Sequence, residues 1–284
     1  MGLPFAAAGS SGVVEVVAPA KLTVSLRVTG VRTDGYHLLD AEMVTLDLAD
    51  TLVIDPEGGD SLEVVPAWPP GAEGWRTLDV GPTADNLVTR ALAAVGRSAS
   101  VRLIKRIPPG AGLGGGSADA AAVLRWAGGT DCGVAQGLGA DVPFCVLGGR
   151  ARVSGIGEEL EPLPFVVRPY LLVLPPFGVD TAAVYRAWDR HAAGGRRPGR
   201  EEPDNELESA ALEVEPRLAG WKRALEAATG RRAHLAGSGS TWFVEGSPEE
   251  LGVDVGAGLS CGGRHAPLVA TTTSPGMGRG EVLQ

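Results

Sequence analysis

From Pro108 to Ser117 the chain reads Pro-Pro-Gly-Ala-Gly-Leu-Gly-Gly-Gly-Ser. Glycine admits positive φ and puts no Cβ between the main chain and a ligand. Successive N–H groups in such a turn form a concave nest for an anion. Ser100 to Ile104 predicts a strand before the loop, and the Ala- and Leu-rich stretch from Ser117 to Trp126 predicts a helix after it. That order sets the positive end of a helix at the nest, and phosphate oxygens are the natural ligand. Ser117 adds a hydroxyl that can donate to phosphate or face a metal ion. The Gly-Lys-Ser/Thr ending of a Walker A loop is missing. No acidic residue ends a convincing second strand about 20 residues on, as a dinucleotide fingerprint requires.

Four other segments could carry chemistry. Ala18-Pro19-Ala20-Lys21-Leu22-Thr23 reads alone as a strand entry with one surface lysine. Asp34-Gly35-Tyr36-His37 is a turn before a strand, offering an aromatic ring that can stack and an imidazole that can hydrogen-bond. In Leu138-Gly139-Ala140-Asp141-Val142-Pro143-Phe144, Asp141 alone reads as a turn or cap acid. Gly237-Ser238-Gly239-Ser240 reads as a hairpin turn. A carboxylate near a lysine can take a proton from a hydroxyl while the lysine stabilises charge. Phosphoryl transfer asks mainly for positioning and electrostatic stabilisation, which such a pair and a phosphate nest supply together.

The pattern Pro-x-x-x-Gly-Leu-Gly-Gly-Gly-Ser resembles the phosphate loop of the GHMP kinases (galactokinase, homoserine kinase, mevalonate kinase and relatives), which wraps the ATP phosphates. Within that superfamily, the Pro-Ala-Lys-Leu, Asp-Gly-Tyr-His and Gly-Ala-Asp-Val-Pro-Phe segments resemble the diphosphocytidyl-methylerythritol kinases. The resemblance implies a two-domain α+β GHMP kinase fold. A ribosomal-S5-like ATP-binding domain would span 13–162 and a ferredoxin-like domain 163–277. It implies Lys21 and Asp141 as catalytic residues. It places ATP on Pro108, Gly110, Ala111, Gly112, Leu113, Gly114, Gly115, Gly116 and Ser117, with Asn86 and Lys105 at the adenine. It places the substrate on Thr23, Tyr36, His37, Asp141, Tyr185, Gly237 and Ser238. The implied reaction is ATP-dependent phosphorylation of the 2-hydroxyl of a small molecule carrying a cytidine diphosphate group, on the route to isoprenoid precursors. Mg²⁺ is expected with the nucleotide, though no carboxylate ligand stands out. Two departures are visible. Thr23 stands where the family has Asn, and Asp119 where relatives often have Asn. Between Ser117 and Gly139 the chain is short, and Gly128 to Gly133 interrupts it, so that a second helix, or most of one, is expected to be absent. Two other readings stay open: a GHMP kinase for another alcohol, and a nucleotide-binding homologue without catalysis.

The remaining elements must position these groups. The 284 residues are 44% hydrophobic and 21% charged, which is ordinary for a soluble chain able to bury a core. A formal net charge of −9 disfavours nucleic acid, whose binding needs clustered Lys and Arg. Cys132, Cys145 and Cys261 show neither a disulfide framework nor zinc spacing. No apolar run approaches the roughly 20 residues of a membrane helix, and Met1 to Gly12 lacks the basic start of a signal peptide. The expectation is a cytoplasmic monomer or homodimer, away from membranes. Strands are expected over Val13–Val17, Leu22–Val28, Ala41–Leu48 and Thr51–Asp55, with a break at Ala49-Asp50. Glu57 to Gly81 reads as loop. Asp85 is expected to cap a helix over Asn86–Val95. Val142–Leu147 is expected to pair as a strand with Arg150–Ser154, and a boundary falls near Glu158–Pro164. Beyond it, Tyr170–Leu174 and Leu268–Thr272 predict strands. Thr181–His191, Glu206–Ala211 and Pro216–Thr229 predict helices, and Ala193–Pro203 a basic loop. Ala233–Ala236 and Thr241–Val244 flank the Gly-Ser turn.

Overall fold

Two long strands form the spine of the larger sheet. β1 (Val14–Val31) and β2 (His37–Asp55) run antiparallel, joined by a turn through residues 32–36. Their alternating β-branched and apolar residues suit a sheet with one buried face. Register slips occur between Pro19 and Lys21, between Thr23 and Ser25 and between Val28 and Gly30. Proline has no N–H for the ladder, and a bulge beside it re-aims the next side chains. These slips bend one continuous strand where two were expected. β2 carries two strands on its other edge. Thr51–Asp55 pairs with β4 (Ser100–Lys105), and Leu39–Val44 pairs with β5 (Arg150–Gly155). β3 (Ser61–Pro66) lies parallel to β4, and β6 (Glu159–Pro162) completes the sheet beside β5. The computed structural model describes residues 12–69, 75, 83–129, 131–194 and 205–276.

Four helices accompany this sheet: α1 (Leu87–Ala94), α2 (Gly115–Trp126), α3 (Cys132–Leu138) and α4 (Val142–Leu147). α2 is central, touching β1, β2 and the other three helices. Its residues Ala118 to Leu124 are all buried, and the run of alanines lets neighbouring backbones come close. Several expectations need correction here. The strand does not break at Asp50, because that buried carboxylate is paired with the Lys105 ammonium and accepts from the Arg106 and Ile107 N–H groups at 2.5 and 2.8 Å. Ser61–Pro66, read as loop, alternates well enough to add a strand. Asn86, one residue beyond Asp85, caps α1, its side chain accepting from the Val88 N–H at 2.9 Å. Val142–Leu147 is a helix, with Pro143 in its first turn, where the missing N–H costs nothing. β5 therefore pairs with β2 instead. The shortened region still holds the seven-residue α3, capped by Asp131.

The second sheet has the order β12-β7-β9-β8, every neighbour antiparallel: β7 (Pro169–Val173), β8 (His234–Leu235), β9 (Trp242–Glu245) and β12 (Leu268–Thr272). Helices α5 (Thr181–Ala193), α6 (Glu208–Val214) and α7 (Leu218–Thr229) flank it. A short helix α8 (Pro248–Leu251) and the hairpin β10 (Leu259–Cys261)–β11 (Arg264–Ala266) precede β12. The α+β expectation for the fold holds. The readings of residues 1–11, most of 70–81 and 195–203 fall outside the described residues.

Apolar clusters run across both sheets; one joins Ala20, Leu22 and Leu46 to Tyr170, Leu172 and Phe243. A polar stitch reinforces this. Buried Asn205 donates to the carbonyls of Leu235 at 2.9 Å and Gly237 at 2.6 Å, and accepts from the Leu207 N–H at 3.0 Å. The next residue, Glu206, donates its N–H to Leu26 of β1 at 2.9 Å and accepts from the Val28 N–H at 3.0 Å. Asn205 thereby fixes the Gly237 turn against the strand that carries Lys21. Asn205→Ala leaves three backbone groups without this partner, and should cost about 3 kcal/mol in urea unfolding with an unchanged m value. A loss under about 1 kcal/mol would mean that water replaces the amide.

Candidate active site

The glycine loop is gripped from three sides. The Val179 N–H donates to the Gly110 carbonyl at 3.1 Å, the Thr241 N–H to the Ala111 carbonyl at 3.1 Å, and the Lys21 N–H to the Leu113 carbonyl at 3.0 Å. With those carbonyls engaged by the scaffold, the loop's own donors remain for an anion. The approach is too close for side chains. A Cβ on Gly112, whose φ is +79°, would lie 2.2 Å from the Ala236 carbonyl oxygen. One on Gly114, φ +67°, would lie 2.7 Å from Cγ of Lys21. Gly114 is the N-cap of α2, so the first N–H groups of that helix open onto the loop.

The Lys21 ammonium lies 3.2 Å from the Asp141 carboxylate and donates to the Thr23 hydroxyl at 3.1 Å. The two charges differ in exposure: the Lys21 side chain is 7% exposed, that of Asp141 32%. The lysine is therefore fixed beneath the carboxylate, and the carboxylate faces a cavity of about 720 Å³. The loop and Gly237-Ser238 line that cavity together with Lys21, Thr23, Tyr36, His37, Asp141 and Tyr185, so one site gathers segments far apart in sequence. Leu113 is the exception in the loop, its side chain buried in the core. Ser238 is held by the Thr181 hydroxyl at 2.8 Å.

Tyr36, also on the cavity wall, is exposed, while the His37 side chain is only 11% exposed. The His37 ring packs on Tyr185 with centroids 4.6 Å apart and meets Trp188 edge-on at 5.6 Å. Its Nε2 lies 2.7 Å from the Asp189 carboxylate. Burial pushes the Tyr185 phenol upward, so it stays a neutral hydroxyl. Sequence reading misses Asp189, although Ala182, Tyr185 and Asp189 share one helical face, a spacing that points to it.

Asn86 and Lys105 lie outside the main cavity. With Pro109, Gly116 and Asp119 they line an adjoining recess of about 200 Å³, walled by Val64, Leu87 and Leu103. The Lys105 ammonium is engaged by two buried carboxylates, Asp50 and Asp119, the latter at 2.7 Å. Asp119 keeps its Oδ1 buried without a partner. Burial, with the like charge of Asp50, pushes the Asp119 carboxyl up to about 7 against the pull of Lys105. Burial also pushes the Cys145 thiol up to about 12, which leaves it unreactive.

The chain is similar to known kinases. Residues 86–149 match the family of GHMP kinases N terminal domains. A 4-diphosphocytidyl-2-C-methyl-D-erythritol kinase of Paracoccus denitrificans is 41% identical over 242 residues, covering 80% of this chain and 84% of the relative. A kinase of the same name from Pelotomaculum thermopropionicum is 40% identical over 264 residues, covering 81% and 88%. A crystal structure of a 4-(cytidine 5'-diphospho)-2C-methyl-D-erythritol kinase is similar with a TM-score of 0.65 at 31% identity, over 93% of this chain and all of that one. Homoserine kinase from Cytophaga hutchinsonii shares the fold at 17% identity, with a TM-score of 0.59.

The Asp119 carboxyl predicts a pH effect on stability. In the folded chain it holds its proton to about pH 7, well above the 3.8 of an unperturbed carboxyl. As pH rises through that window the unfolded chain ionises first, so this group's contribution falls with pH and then levels off. Asp119→Asn keeps the shape and removes the titration. Its melting temperature relative to the parent should therefore rise between pH 4 and about pH 7 and stay constant above. A difference independent of pH would place the Asp119 proton elsewhere.

Proposed function

The chain belongs to the 4-diphosphocytidyl-2-C-methyl-D-erythritol kinase family of GHMP kinases, and from that premise we propose that it transfers the γ-phosphate of ATP to the 2-hydroxyl of 4-diphosphocytidyl-2-C-methyl-D-erythritol. The observation that carries this reading is the Lys21–Asp141 pair, 3.2 Å apart on the wall of the cavity that the glycine loop also lines.

Asp141 accepts the proton of the acceptor hydroxyl as its oxygen bonds to the γ-phosphorus and the bond from that phosphorus to the bridging oxygen of ADP breaks. Lys21 stabilises the negative charge between nucleophile and phosphoryl group. Residues 110–117 and the first N–H groups of α2 hold the phosphates. The absence of Cβ atoms at Gly112 and Gly114 lets the loop lie close against Ala236 and Lys21, which fixes the cradle's backbone. Asn86 is assigned to the adenine, in the recess walled by Val64, Leu87 and Leu103, with Lys105 beneath it. Mg²⁺ accompanying the nucleotide neutralises phosphate charge. No cluster of three acidic, His or Cys ligands occurs among the described residues. Ser117, which lines the cavity, would offer such an ion a hydroxyl oxygen. Tyr36 and Tyr185 are assigned to the cytosine face and His37 to its edge, while Thr23, Gly237 and Ser238 surround the methylerythritol end.

The domain division at 162/163 is retained, supported by the first sheet ending at Pro162 and the second starting at Pro169. Among the described residues no helix is long and apolar enough to cross a membrane. The proposed location is the cytoplasm, with the enzyme a monomer or homodimer.

Coupled ADP release with Mg²⁺-ATP and the cytidine substrate tests the assignments. Asp141→Asn should lower kcat by about 10² or more with little change in KM. His37→Ala should raise KM for the cytidine substrate about tenfold and leave kcat near that of the parent. Equal activity in Asp141→Asn would remove that residue from the proton transfer. An unchanged KM in His37→Ala would turn attention to another alcohol.

A further inference from the structure

Arg125 stands in the last turn of α2, away from the cavity, and the reaction just described does not use it. Its side chain turns into the protein. Nη1 donates to the Cys145 carbonyl at 2.6 Å and Nη2 to the Val17 carbonyl at 3.0 Å. No carboxylate lies within ion-pair distance of it among the described residues, and its Nε is buried without a partner. Burial pulls the guanidinium downward from its usual range. A cation so placed is an expensive way to fill space, since an apolar side chain of similar volume is often as stable or more so. Its contacts suggest what it does instead.

Each carbonyl belongs to an element that carries one of the two charged groups. Val17 lies four residues before Lys21 on β1, upstream of the slip at Pro19. Cys145 lies four residues after Asp141 on α4, and its own N–H donates to the Asp141 carbonyl at 3.0 Å. The Cys145 carbonyl is among the last four of that helix, which have no partner within it and carry its negative end. The third element is α2 itself, whose first residues form the phosphate cradle. A planar guanidinium holds two donors at fixed separation, which the single ammonium of lysine does not.

We propose that Arg125 is a positioning residue of the phosphoryl-transfer site: a fork that holds β1 and α4 against the phosphate-loop helix and so sets the Lys21–Asp141 spacing. This rests on the reading of that pair given above. Arg125→Met, of similar reach and without charge, is the test. The folded variant, checked by circular dichroism, should keep its nucleotide Kd and both KM values within about threefold while kcat falls about 30-fold. Combined with Asp141→Asn, it should be no slower than Asp141→Asn alone within about threefold, because both changes remove the same arrangement. Arg125→Lys, keeping the charge but one donor site, should fall between Met and the parent. If the Met variant does not fold, the Lys variant carries the same comparison, with kcat lower by about fivefold and the same lack of additivity. A lowered melting temperature with unchanged kcat, or additive losses in the double variant, would overturn the proposal. A crystal structure of the Met variant separates this idea from the substrate assignment. Should the parent fail to turn over the cytidine compound, a Lys21–Asp141 distance lengthened past ion-pair range would still support the fork. A distance kept at 3.2 Å would refute it.

Discussion

The side chain of Lys21 crosses the glycine loop at Gly114, where no Cβ stands in the way. A Cβ on Gly114 would meet Cγ of Lys21 at 2.7 Å, and the Lys21 N–H is bonded to the Leu113 carbonyl at 3.0 Å. Strand and loop are thus locked together within a few ångströms, and the ammonium emerges beside the mouth of α2. The site depends on this crossing. It places a fixed cation beside the proposed phosphate site, and it requires glycine for packing. β1 slips its register between Pro19 and Lys21, just where the strand meets the loop.

The rest of the larger sheet reads as support for that crossing. Beneath the start of α2, the Lys105 ammonium is held by Asp50 and Asp119, and a Cβ on Gly115 would stand 3.1 Å from it. At the far end of α2, Arg125 grips β1 and α4. The phosphate-loop helix is therefore pinned at both ends by buried cations, one countered by carboxylates and one by carbonyls. Buried charges of this kind add little net stability once desolvation is counted. Their contribution is to fix where the helix starts and where its neighbours lie, and a phosphoryl-transfer site depends on such placement. The second sheet adds the Gly237 turn, and Asn205 secures that turn from behind.

Much of this is legible in the sequence, for reasons that differ by segment. The loop and α2 can be read because glycine spacing and alanine content act locally. The pairing of Lys21 with Asp141 does not follow from spacing, since the partners lie 120 residues apart; resemblance alone brings them together. Val142–Leu147 reads wrongly as a strand because six mostly apolar residues have no usable period. Asp141 at the cap and Pro143 in the first turn are the signals for a helix. Asp50 reads as a strand break because its partner, Lys105, is distant in sequence, and a lone buried carboxylate would indeed end a strand. Asn205 and Arg125 belong to no motif. Both act through backbone carbonyls of remote segments, and such carbonyls leave no trace in residue type.

The most direct measurement is a crystal structure with a non-hydrolysable ATP analogue, Mg²⁺ and 4-diphosphocytidyl-2-C-methyl-D-erythritol. The triphosphate is expected on residues 110–117, with the 2-hydroxyl within about 3.2 Å of the Asp141 carboxylate and in line with the γ-phosphorus. A triphosphate held elsewhere, or a hydroxyl out of reach of Asp141 with its Lys21 contact intact, would contradict it.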